Sequence, residues 1–203
     1  MKTSDHKKAL LYLSKDRKLK VIIEKYNLPD WNEDTDLFAD IVESIINQQL
    51  SGKAAATIFG RFKNLFKTKT FPKPQDVLKV PDEKMRACGI SYSKIKYIKG
   101  LCLAIIDKSL DVKKIPDLSD EEVIIELTKI KGIGRWTAEM ILIFSLKRPD
   151  VFSTGDLGLR TAVSRLYKLD REDRVRIEKL AKKWSPHRSL ASWYLWRSLE
   201  NRS

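Results

Sequence analysis

The stretch L-T-K-I-K-G-I-G-R-W-T-A-E-M-I-L-I-F-S-L-K-R-P-D-V-F-S-T-G-D-L-G-L-R, residues Leu127 to Arg160, decides how this chain is read. Upstream and into it, Val123, Ile124, Leu127 and Ile130 recur at the spacing of one helix face. Lys131-Gly132-Ile133-Gly134 interrupts that helix, and Trp136 to Leu146 restarts as an almost wholly apolar one. Arg148-Pro149 ends it. Asp156, 22 residues after Gly134, then opens a segment in which Leu157, Leu159, Ala162, Val163 and Leu166 keep helical spacing. Four of the chain's eight glycines (Gly132, Gly134, Gly155 and Gly158) fall here. Glycine is the residue that admits positive φ or lets another backbone come close, and two such places flank a single helix.

Each feature has two readings at the level of residues alone. The start of the second helix exposes backbone N–H groups that lack intrahelical partners and carry positive partial charge. With Lys129, Lys131 and Arg135 around it, the turn suits a phosphate; it equally suits a tight corner with solvated lysines. Asp156 fits an N-cap, where aspartate is preferred, and it also fits a reactive carboxylate.

Working outward, 203 residues suit one domain or two small lobes, and 42% hydrophobic residues with five tryptophans suit a packed core. The longest apolar stretch, Met140 to Leu146, is far short of a membrane span. The N-terminus has no signal-peptide apolar segment. Cys88 and Cys102 show no zinc or iron–sulfur spacing and fit a reducing compartment. An intracellular protein with no membrane partner is expected. The net charge of +13 favours a polyanion such as nucleic acid.

The remaining pattern is helical. One or two helices precede Leu28, and Pro29-Asp30-Trp31 makes a turn into the acidic run Glu33 to Asp36. A helix follows from Asp36 to Leu50, closed by Gln48-Gln49, whose plain reading is a solvated helix end. Ser51 caps a helix from Gly52 to Phe66, and Lys67 to Pro74 is a loop. Short helices cover Gln75–Val80 and Pro81–Cys88, and Ser91 opens one to Asp107. Beyond Asp156 helices run to about Tyr167, from Arg171 to Trp184, and from Ser189 to Glu200. No segment alternates with period two, so the fold class is all-α.

Residues 127–160, with I-I-N-Q-Q-L-S (Ile45 to Ser51) and W-S-P-H-R-S-L-A-S-W-Y-L-W (Trp184 to Trp196), resemble the helix-hairpin-helix DNA glycosylases. G-I-G-R-W-T-A looks like their alkylated-base branch, the 3-methyladenine DNA glycosylase II type. The resemblance implies two helical lobes with the active-site cleft between them. One lobe would comprise about 1–45 and 157–203, the other about 46–156 with the hairpin at 120–147. It implies Asp156 as the catalytic carboxylate, and Trp136, Trp196 and Met140 in the base pocket. Gln49, or Leu50 beside it, would be the wedge that fills the gap left by the extruded base. Lys131, Gly132, Ile133, Gly134 and Arg135 would grip the DNA backbone. No cofactor is implied, although hairpins of this kind often hold a structural Na⁺ or K⁺, here at the carbonyls of Thr128, Ile130 and Ile133. Trp136 stands where bifunctional relatives carry a nucleophilic lysine, so hydrolysis without strand cleavage is expected. The implied partner is damaged double-stranded DNA, met as a monomer. A glycosylase for uracil, mismatched or oxidised bases, and a non-catalytic DNA-binding protein, are the competing readings.

Overall fold

Local chemistry starts most of the helices. Asp16, Asp36, Ser91, Ser119, Asp156 and Asp173 each stand one residue before a helix and accept a first-turn N–H. Each such cap contributes about 1 kcal/mol. Ser119 and Glu122 add a reciprocal capping box. The computed structural model describes residues 3–28, 36–50 and 52–200, with side chains from residue 6 onward. The expected turn at Pro29 to Trp31, the acids Glu33 and Asp34 and the expected cap Ser51 lie outside the described residues.

In chain order the helices are α1 (Thr3–Leu13), α2 (Arg17–Ile23), α3 (Leu37–Asn47), α4 (Gly52–Lys63), α5 (Pro74–Leu78) and α6 (Asp82–Ala87). They continue with α7 (Tyr92–Ile106), α8 (Asp120–Thr128), α9 (Arg135–Met140), α10 (Leu157–Tyr167), α11 (Arg174–Ala181) and α12 (Arg188–Glu200). No strand occurs among the described residues, and no described helix is long and apolar enough to cross a membrane. The fold is all-α, as the periodicity predicts.

The chain forms two compact units, Met1–Asn32 with Leu142–Ser203, and Glu33–Ile141. In the first, Leu13, Leu19, Leu159, Val163, Ile177, Trp184, Leu190, Tyr194 and Leu195 make the core. In the second, Ile41, Ile45, Phe62, Val77, Met85, Ile95, Ile98, Leu101 and Leu127 are buried. These boundaries differ from the 45/46 and 156/157 divisions that the resemblance implies. Helix α3 packs on α4 and α7 and so stays with the second unit. The segment before Asp156 is tied to α12: Ser189 N–H donates to Pro149 O at 3.1 Å, and Ser189 Oγ donates to Arg148 O at 2.6 Å.

Helices α3 and α4 end three residues before the expected Leu50 and Phe66, and two other helices depart in type or start. The apolar helix expected over Trp136–Leu146 is α-helical only to Met140 and continues as π-helix over Ile141–Ser145. The helix expected from Arg171 starts at Arg174, because Asp173 caps it by accepting Arg176 N–H at 3.0 Å, and it ends in a 3₁₀ turn, Lys182–Trp184.

Candidate active site

In the second unit, α8 and α9 are joined by a turn that only glycine can make. Gly132 has φ +94°, and a Cβ there would lie 2.2 Å from the Tyr97 ring. Gly134, the N-cap of α9, has φ −93° and ψ 172°, and a Cβ there would meet nothing within 4 Å. Nothing in the fold therefore requires a glycine at 134, and its missing side chain leaves room for an approaching molecule. Lys131, Gly134, Arg135 and Trp136 are exposed. Ile133 is buried, and its N–H donates to Ile130 O at 3.0 Å. That bond closes the turn, so the Ile133 N–H serves the protein and not a DNA phosphate.

Arg135, expected at the DNA backbone, also has partners within the protein. Its Nη1 and Nη2 donate to the two carboxylate oxygens of Glu121 at 3.0 and 3.1 Å, and its Nε donates to Glu139 at 3.1 Å. Hydrogen bonding to Glu121 raises the Arg135 pKa, against some burial, and the same bond lowers that of Glu121. Arg135 thus clamps α8 to α9, with the buried Glu139 beneath it.

The corner after α3, whose plain reading is a solvated helix end, is held instead by hydrogen bonds within the protein. Gln48 Nε2 donates to Gly132 O at 2.8 Å and to Thr137 Oγ1 at 3.4 Å. Lys94 Nζ donates to Ile46 O at 2.8 Å and Gln48 O at 2.6 Å, satisfying carbonyls that the helix end leaves open. Burial lowers the Lys94 pKa. Beyond these anchors Gln49 adopts φ +59°, and both Gln49 and Leu50 are exposed.

In the first unit, Asp156 caps α10 and is half-buried. Its Oδ1 accepts Leu159 N–H at 2.7 Å and the Trp196 indole N–H at 2.9 Å. Trp196 packs on Phe144 with ring centroids 5.6 Å apart at 31°. Phe144, on the π-helical turn, is 42% exposed and supplies an aromatic face that the sequence reading did not select. Met140, half-buried, ends α9 in the other unit.

Arg160 is a second omission. It is buried, and its Nη1 donates to Thr154 O and Gly155 O, both at 3.2 Å, fixing the two residues before Asp156. Asp150 anchors the same loop further back: its carboxylate accepts Arg188 Nε at 2.8 Å and Ser185 Oγ at 2.7 Å. Burial pushes the Asp150 pKa up, but the bonds from Arg188 and Ser185 outweigh it and hold the carboxyl below the usual range.

No group of three or more His, Cys, Asp or Glu side chains able to hold a metal occurs among the described residues. A monovalent cation is a different case, because it needs only hard oxygen donors. The turn offers backbone carbonyls, of which Gly132 O is engaged by Gln48 and Ile130 O accepts one N–H while retaining a lone pair.

The chain belongs to the HhH-GPD superfamily of base excision DNA repair proteins, matching it over residues 42–187. Within that superfamily its relatives carry alkylated-base names. DNA-3-methyladenine glycosylase 1 of Schizosaccharomyces pombe is 40% identical over 163 residues, covering 79% of this chain and 72% of that protein. The Bacillus subtilis putative DNA-3-methyladenine glycosylase YfjP is 32% identical, covering 82% of this chain and 60% of that protein. The solved structure of an S. pombe 3-methyladenine DNA glycosylase in complex with abasic DNA superposes with a TM-score of 0.86. That match is 36% identical and covers 97% of this chain and 99% of the other.

Proposed function

We propose that this chain is a monofunctional DNA glycosylase that extrudes alkylated purines of the 3-methyladenine and 7-methylguanine type. It hydrolyses their N-glycosidic bond without cutting the strand. The observation that carries this reading is Asp156, held at the start of α10 by Leu159 N–H and Trp196 N–H. A purine alkylated at N3 or N7 is cationic, so its glycosidic bond is already weakened and the base leaves neutral without a general acid. A single carboxylate then suffices to stabilise the oxocarbenium-like sugar and to orient or deprotonate water. Aromatic faces at Trp136 and at the Trp196–Phe144 pair favour a cationic base over a neutral one.

The other parts of base extrusion have candidates as well. First-turn N–H groups of α9 beside Gly134, together with Lys131, hold phosphate. Gln49, with Leu50 next to it, occupies the vacated space in the duplex. Trp136, at the position of the lyase lysine in bifunctional relatives, has no nucleophilic atom, which supports hydrolysis alone. A Na⁺ or K⁺ held by the carbonyls of Thr128, Ile130 and Ile133 would stiffen the turn and take no part in the chemistry. The protein works as a monomer on damaged double-stranded DNA inside the cell, a setting that the two free, buried cysteines fit.

The test is release of 3-methyladenine and 7-methylguanine from duplex DNA by wild type and Asp156→Asn. Wild type should release base with strand breaks appearing only after alkali, and Asp156→Asn should lose about 100-fold or more in rate. Equal rates would remove Asp156 from the mechanism. Duplex binding with no release of any base would leave a DNA-binding module.

A further inference from the structure

Gly158 is a glycine that no turn requires. It lies in the first turn of α10 with φ outside the left-handed region, so its backbone would accept any residue. Glycine within a helix is less stable than alanine, so the chain gives up helix stability by having one there. What Gly158 provides is space. A Cβ at this position would lie 3.0 Å from Asp156 Oδ1, 3.2 Å from Trp196 Cδ1 and 3.3 Å from Trp196 Nε1. The flanking atoms are the acceptor and the donor of the 2.9 Å bond between Asp156 and Trp196.

We propose that Gly158 is a positioning residue: by carrying no side chain it lets the Trp196 indole N–H reach and hold the Asp156 carboxylate. Trp196 therefore acts through its N–H as well as its ring face. The inference rests on the reading of Asp156 as the catalytic carboxylate. Two donors, Leu159 N–H at 2.7 Å and Trp196 Nε1–H, converge on one oxygen. One comes from the backbone of α10 and the other from α12, so together they fix both side-chain torsions of Asp156. A methyl group at 158 requires the carboxylate or the indole to give by a few tenths of an ångström, which moves donor and acceptor off the geometry they hold in the wild type. The indole is also packed on Phe144, so its displacement disturbs that aromatic pair. A carboxylate already aimed needs no reorganisation as positive charge develops on the sugar.

The experiment compares wild type, Gly158→Ala, Trp196→Phe, the double variant and Asp156→Asn. Trp196→Phe keeps a ring and removes the N–H. Single-turnover release of 7-methylguanine should fall about 10- to 100-fold in Gly158→Ala, the worth of a hydrogen bond to a charged group. Affinity for duplex containing an abasic site should stay within about twofold, and the melting temperature should not fall. The double variant should be no slower than Trp196→Phe, since both substitutions remove one interaction. A wild-type rate in Gly158→Ala, or losses that simply multiply, would overturn the proposal. A second readout is independent of turnover: the indole N–H resonance missing from Trp196→Phe should shift in both Asp156→Asn and Gly158→Ala. No shift in Gly158→Ala refutes the proposal whatever the activity. A shift in a protein that releases no base from any duplex counts against the glycosylase reading alone.

Discussion

At the scale of single residues, the structure separates charges that hold the protein from charges that can meet DNA. Arg135 sits in the middle of the hairpin motif, yet Glu121 and Glu139 engage three of its nitrogens. Lys131, one turn earlier, is exposed. We expect Lys131→Ala to reduce the salt dependence of duplex binding by about one phosphate contact, and Arg135→Ala to leave that slope unchanged. Arg135→Ala should instead lower stability by about 1 kcal/mol, because it removes the clamp between α8 and α9. Fluorescence anisotropy across a NaCl series, with urea unfolding of the same proteins, checks both. An equal drop in slope for the two variants would return Arg135 to the phosphate-binding set.

At the scale of elements, the two hairpin glycines serve different ends. Gly132 is required by the fold, through its positive φ and the Tyr97 ring 2.2 Å from where a Cβ would stand. Gly134 has ordinary dihedral angles and open space. Gly132→Ala should therefore destabilise by about 2–4 kcal/mol through backbone strain and overpacking. Gly134→Ala should stay within about 0.5 kcal/mol of wild type in chemical denaturation and still weaken duplex binding. A destabilised Gly134→Ala would mean that the turn, not a ligand, requires that glycine. Gln48 belongs to the same scale, because its bond to Gly132 O makes the corner after α3 and the hairpin one rigid piece. Gln49 stands exposed directly beyond this footing.

For the whole molecule, charge is unevenly shared. The unit containing Asp156 has 22 basic against 11 acidic residues, whereas the hairpin unit has 18 against 16. Most of the +13 is therefore carried by the unit that contains Asp156. That unit also has a specific acid sensitivity. Burial pushes Asp16 up, but bonds from Tyr167, Trp184 and two backbone N–H groups bring it below 3.8, and Asp150 is likewise below 3.8. A folded pKa below the unfolded one adds stability that is present above pH 3.8 and is lost as pH falls through the lower folded value. We expect the urea midpoint to drop steeply below about pH 4. The drop should be shallower in an Asp16→Asn/Asp150→Asn variant, which starts less stable at neutral pH. An unchanged profile in that variant would place the acid sensitivity elsewhere.

What the sequence by itself determined lies within a few residues of each position. Helical periodicity, the helix starts near Asp36 and Ser91, the cap Asp156 and the Gly132–Gly134 interruption were all legible, because capping and helix propensity act over about one turn. The all-α fold and the hairpin followed from them. What only the tertiary structure decided are contacts across long separations: Gln48 with Gly132 at 84 residues, Lys94 with Ile46 at 48, and Trp196 with Asp156 at 40. Their partners are chosen by packing, which no local pattern encodes. The same holds for the space at Gly158, since its need for no side chain is set by an indole arriving from α12.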